Sequence, residues 1–275
     1  MEFPISKEIV SAEWLHGHME DPDLIILNAT IPEVGQAVDT MDDEQIPNGI
    51  FFDLKNTFSD SSAPFPNTVP NEEQFQREAR NIGINKNSFI VIYDEVGMYS
   101  SPRAWYLFKA FGHDRVAVLD GGLPAWLLNG YATEKKRNKK DVKGNFEASY
   151  RPHYFIDLQA LQKLDRNEGK VILDARSSAR FRGEVPEPRK GLRSGTIPES
   201  KNLPFTELID NGFLKSQKEL HDIFENVSNK EEHLIMSCGS GITACILALG
   251  ASVSGRENIS VYDGSWTEYG SLIKS

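Results

Sequence analysis

Cysteine is scarce in this chain: its 275 residues include two, Cys238 and Cys245. Two thiols cannot build a disulfide framework, and seven residues apart on one short segment they could hardly pair with each other. Both are expected as free thiols. Positive charge is also short, with 30 Lys and Arg against 40 Asp and Glu and a net charge of −10. Nucleic acid and anionic membrane surfaces are poor partners for such a chain, and a small substrate or another protein fits better. No apolar run approaches the ~18 residues that cross a bilayer. The start, M-E-F-P-I-S-K-E-I-V, has no cationic stretch leading into an apolar one, so a cytoplasmic location is the expectation.

What is present is enough for two ordinary domains, 39% of the residues being hydrophobic. Short β-rich runs end in polar or glycine breaks: Leu24 to Leu27, Phe89 to Tyr93, Val116 to Leu119, Val171 to Leu173, Leu234 to Met236 and Ile259 to Tyr262. Helical spacing lies between them, in Leu158, Leu161 and Leu164, and in Leu220, Ile223, Phe224 and Val227. Ala104 to Phe111 and Thr243 to Ala251 begin just after turn residues. Alternating strands and helices predict an α/β fold with a largely parallel sheet.

The chain also repeats itself. L-D-G-G-L-P-A-W at 119–126 resembles Y-D-G-S-W-T-E-Y at 262–269, which sets Asp120 and Asp263 143 residues apart. Asp94 and Cys238 end similar runs at a spacing of 144, and Asn28 matches Asp174 at 146. Three matches in one order at nearly one offset indicate a duplicated domain. The expected division is 1–133, a linker at 134–153 that begins with the lysine-rich E-K-K-R-N-K-K-D-V-K-G-N, and 154–275. Because the first copy has Asp94 at the cysteine position, it is expected to be catalytically silent.

In S-C-G-S-G-I-T-A, residues 237–244, a strand runs into a glycine-rich turn and then a helix. Such a turn aims backbone N–H groups inward, and the helix start adds positive partial charge, so a cysteine there is expected to react as thiolate. A buried cysteine beside a packing turn is the plainer alternative for Cys238. For Cys245, inside the apolar helix, that plainer role is the expectation.

C-G-S-G-I-T-A resembles the active-site loop of the rhodanese superfamily, specifically its two-domain sulfurtransferases of the 3-mercaptopyruvate type. D-A-R-S-S-A-R-F-R-G-E-V-P-E-P-R-K-G-L-R-S-G-T-I-P-E-S-K-N-L-P-F at 174–205 and Y-D-G-S-W-T-E-Y-G at 262–270 resemble the second domain of that family. P-N-G-I-F-F-D-L, S-S-P-R-A-W and L-D-G-G-L-P-A-W resemble its inactive first domain. The resemblance implies tandem rhodanese-like domains and a sulfur relay without cofactor or metal. Cys238 would form a persulfide with sulfur from a small donor, and a thiol such as thioredoxin or glutathione, or cyanide, would remove it. Backbone donors of Gly239, Ser240, Gly241, Ile242 and Thr243 would hold charge on sulfur, and the Ser240 hydroxyl would sit beside the donor. Arg180 and Arg189 match the arginines that grip the substrate carboxylate. Thiosulfate-using members usually carry basic residues in the loop, and Gly239 and Ser240 favour 3-mercaptopyruvate instead. Many members also carry an Asp and a His in the first domain. Here Asn67 stands where the histidine would fall and Lys55 is nearest to the Asp, so no proton relay is assigned.

Other chemistries fit less well. A cysteine phosphatase needs Cys-x5-Arg, and that position is Ala244. An acyl-transfer enzyme needs a histidine partner, and His221 and His233 sit in no recognisable motif. His16 and His18 lack further zinc ligands at the right spacing. A persulfide carrier with little turnover of its own is the alternative from another class, against which Arg180 and Arg189 argue.

Overall fold

The computed structural model describes residues 8–32, 44–136, 143–164 and 169–273. All six β-rich runs are strands: Leu24–Asn28, Phe89–Tyr93, Val116–Leu119, Lys170–Asp174, His233–Ser237 and Ile259–Tyr262. Phe89–Tyr93 is buried at every position, and its sequence does not alternate, as a parallel strand covered on both faces requires. Shorter strands complete the sheets at Ile9–Val10, Gly49–Phe51, Phe155–Ile156 and Lys201–Asn202. At two or three residues each, they carry no period that a sequence pattern reveals.

Two five-stranded sheets result, and they share one topology. Numbering the strands of each sheet in chain order, their spatial order is first, fifth, fourth, second, third, with every pairing parallel. The registers agree too, since Asn28 pairs with Tyr93 and Asp174 with Ser237. The repeat in the sequence is thus a repeat in the fold.

Helices flank both sheets. Gln217–Val227 opens with a capping box of Ser216 and Glu219 and buries Leu220 and Phe224. Glu72–Asn81 is capped by Asn71 and buries Phe75 and Ala79. Ala244–Val253 is apolar on nearly every side because it is enclosed, by the second sheet and by Ser101–Ala110 of the first half. One apolar core consequently runs through both halves, from Phe75 and Phe108 to Leu220 and Leu247.

Between the sheets, Glu134–Lys135 pairs with Glu44–Gln45, and residues 137–142 lie outside the described residues. Further on, buried Phe146 donates its N–H to Ile84 O at 3.0 Å, and Arg151 forms a forked pair with Asp114 at 2.8 Å. The described parts of the connection are therefore fastened to the first half through Phe146 and Arg151, before His153 O accepts from Ser260 of the second.

Candidate active site

Parallel sheets present ligands at the carboxyl ends of their strands. The central strand of the second sheet, His233–Ser237, ends at Cys238, and the chain then turns into the Ala244–Val253 helix. Gly241 makes the turn possible. Its φ is +80°, and a Cβ there would stand 2.9 Å from Asp263 O and 3.1 Å from an Arg103 nitrogen. Held this way, the Gly241 N–H reaches back to Cys238 Sγ at 3.1 Å. Ser265 Oγ lies 3.9 Å from the same sulfur and accepts from the Cys238 N–H at 3.1 Å. Cys245 is buried and donates to Gly241 O at 3.3 Å. Burial pushes its thiol up to about 12, so it stays protonated under ordinary conditions.

Cys238 borders a cavity of about 180 Å³. Gly239, Ser240, Ile242, Thr243, Arg180 and Arg189 line it too, so of the expected site residues only Gly241 acts from behind. Tyr99 of the first half supplies part of the opposite wall.

The two arginines are not equivalent. Arg180 is held by Glu187 at 2.6 and 3.3 Å. Glu187 is bound in turn by buried Arg176, which chelates Asp174 and lies over the Trp266 ring. Arg189 has no carboxylate at ion-pair distance among the described residues, and its guanidinium donates to Ser240 Oγ at 3.0 Å. Burial draws the Arg189 pKa down from its usual value, against the opposing field of Cys238. Half-buried and bound to no carboxylate among the described residues, Arg189 can take an incoming one in a forked pair.

The histidines stand elsewhere. His233 begins the strand that Cys238 follows, which puts roughly 16 Å of strand between them, and His221 is exposed. His16 stacks on Tyr131 and His18 on Trp14, each at 4.0 Å. Among the described residues no three metal-ligating side chains gather.

Comparison with known proteins decides the family. The model of the rhodanese-like domain matches residues 11–129 and, a second time, 157–272. The chain belongs to the rhodanese family. The 3-mercaptopyruvate sulfurtransferase of Escherichia coli K12 is 36% identical, over 95% of this chain and 94% of its own. Thiosulfate/3-mercaptopyruvate sulfurtransferase 1, mitochondrial, of Arabidopsis thaliana is 36% identical, over 96% of this chain and 76% of its own. The crystal structure of SseA, a 3-mercaptopyruvate sulfotransferase from Escherichia coli, matches with a TM-score of 0.84 at 33% identity, covering 94% of this chain and 98% of that one.

The two rhodanese domains differ in what fills their strand-end loops. In the first, the Asp94 carboxylate accepts from the N–H groups of Val96, Gly97, Tyr99, Ser100 and Ser101 at 2.9 to 3.1 Å. That loop's anion nest is occupied by the chain itself. In the second, the corresponding residue is Cys238, beside the cavity.

Each rhodanese domain also closes the other. After its third strand the first domain sends Asn67 and Val69 over the Cys238 loop. Asn67 Nδ2 donates to Ser240 O at 3.1 Å and to Ser240 Oγ at 3.0 Å, and the Val69 N–H to Asp263 Oδ2 at 2.8 Å. From the same place in the second domain, the Leu214 N–H donates to Asp120 Oδ1 at 2.9 Å, and Gly212 lies against Gly97 of the Asp94 loop. Buried Arg103 locks the first arrangement through Asn67 O at 2.7 Å, Asp263 Oδ1 at 2.8 Å and Gly241 O at 3.3 Å. Sequence reasoning gave these residues no role. Arg103 lies in S-S-P-R-A-W and Asp263 in the repeated Asp-Gly pair, but they meet across 160 positions, which no local pattern conveys.

Proposed function

We propose that this rhodanese-family sulfurtransferase takes sulfur from 3-mercaptopyruvate, holds it as a persulfide on Cys238, and passes it to a thiol such as thioredoxin or glutathione, or to cyanide. The observation that carries the reading is one cavity lined by both Cys238 and Arg189, whose guanidinium meets no carboxylate at ion-pair distance among the described residues. Arg189 binds the donor carboxylate and Arg180, steadied by Glu187, borders the same space. The Cys238 thiolate attacks the donor sulfur, an S–S bond forms and the C–S bond breaks with its electron pair going to carbon. The leaving enolate takes a proton from water to become pyruvate. An acceptor thiolate or cyanide then attacks the outer sulfur, and Cys238 leaves as thiolate. Loop amides, Gly241 N–H foremost, stabilise negative charge on sulfur.

The same proposal assigns residues 1–133 to the silent domain, 134–153 to the connection and 154–275 to the catalytic domain. It also places the protein in the cytoplasm, a reducing compartment that suits two unpaired cysteines; cell fractionation checks this.

The test is loading of the purified protein with 3-mercaptopyruvate and, separately, thiosulfate, read as the mass gain of one sulfur atom. C238S is expected to lose loading while keeping the wild-type melting temperature; a C238S protein that still transfers sulfur would sink the mechanism. R189A is expected to lower kcat/KM for 3-mercaptopyruvate about a hundredfold, the worth of one charge-assisted pair. R180A is expected to cost less. Preference for thiosulfate would overturn the donor assignment, and loading only from another protein's persulfide would make the chain a carrier.

A further inference from the structure

A hydroxyl oxygen accepts two hydrogen bonds and donates one. Both acceptor places of Ser240 Oγ are taken by groups that only donate, Arg189 Nη2 at 3.0 Å and Asn67 Nδ2 at 3.0 Å. Among the described residues nothing accepts the Ser240 proton, and Ser240 lines the cavity. Its O–H is left to bond to whatever enters.

The backbone at Asn67 does not require the asparagine side chain. Asn67 is left-handed at φ +61°, and its counterpart in the second domain, Gly212, is left-handed at φ +87°. Two residues after each, an N–H bonds to the aspartate of the other domain's Asp-Gly pair, Val69 to Asp263 and Leu214 to Asp120. Glycine makes the same turn, so what the amide side chain adds is its contact with Ser240, 173 positions away.

We propose that Asn67 is a positioning residue for sulfur loading: with Arg189 it fixes Ser240 as a hydrogen-bond donor into the cavity, toward the donor oxygen that gains charge as the C–S bond breaks. This rests on the reading that Cys238 takes sulfur from a keto acid thiol. No bond forms to Ser240 and no proton passes through Asn67; the enolate is protonated by water, as above. Among the described residues, the charged and titratable groups around Ser240 are Arg189 and Cys238, then Arg176, Arg180, Glu187 and Tyr99, with Arg103 and Asp263 behind the loop, and none is a histidine.

The experiment is single-turnover loading of Cys238 by 3-mercaptopyruvate across the pH range in which histidine titrates, for wild type, N67G, N67D and N67H, with thermal melts as the control. Glycine fits the turn, and Asp and His both tolerate left-handed backbone. N67G is expected to melt close to wild type and load about tenfold more slowly at saturating donor, the worth of one hydrogen bond, with its half-saturating concentration little changed. N67D is expected to be slower still and to need more donor, because its carboxylate accepts the Ser240 O–H hydrogen bond and pairs with Arg189. N67H is expected to gain a pH limb near ~6.5 that the wild type lacks. Wild-type rates and profiles in all three variants would overturn the proposal, as would losses that only track melting temperature. A wild type that loads no sulfur at any pH would instead overturn the sulfur-transfer reading beneath it.

Discussion

The two strand-end loops are separated by one side chain. Asp94 satisfies five backbone donors, three of them in buried bonds, so D94A strands them in a largely buried loop. A loss of about 3 kcal/mol or more follows, which lowers the melting temperature by roughly 10 °C; a melt like wild type would mean that the loop finds other acceptors. For the thiols, burial holds Cys245 protonated with a pKa of about 12, whereas Cys238, though only 2% exposed, borders the cavity. Brief alkylation near neutral pH is therefore expected to label Cys238 alone, as read by peptide mass mapping. Cys238 and Gly241 were legible in the sequence because a strand, a glycine turn and a helix follow one another without interruption. The difference between Arg180 and Arg189 was not, because it depends on which of them Glu187 faces, and spacing along the chain does not convey that.

Among the strands, those of four or five residues were legible and those of two or three were not. Glu72–Asn81 escaped because Phe75 and Ala79 are its only hydrophobic residues, too few to show a period, whereas Gln217–Val227 carries four. Gly122–Leu128 and Ser265–Leu272 start within the motifs that disclosed the repeat, and were read as motifs rather than as helices. The contact between elements with the sharpest consequence is Arg103, at the start of its helix, with Asp263 after the last strand. R103A removes a buried cation and leaves Asp263 Oδ1, Asn67 O and Gly241 O without their partner. It is expected to cost roughly 3–5 kcal/mol and to slow sulfur loading more than N67G does, since the whole cap over the Cys238 loop is released. Denaturant melts and loading rates on the same preparation check both parts.

On the scale of the molecule, the shared core predicts one unfolding event rather than two. Helices Ser101–Ala110 and Ala244–Val253 pack together inside it, so neither half keeps a complete apolar interior without the other. Urea unfolding followed by tryptophan fluorescence and by far-ultraviolet dichroism is expected to give coincident single transitions; separate midpoints would show autonomous halves. The exchanged caps reach further. Val69 on Asp263 and Leu214 on Asp120 are the same contact made twice in opposite directions, which is what a twofold axis does to an isologous dimer. The chain thus has the layout of a homodimer fused into a single polypeptide. In such a layout the two copies need not be identical: one strand end carries a sulfur beside a cavity, and the other a carboxylate that fills its own loop.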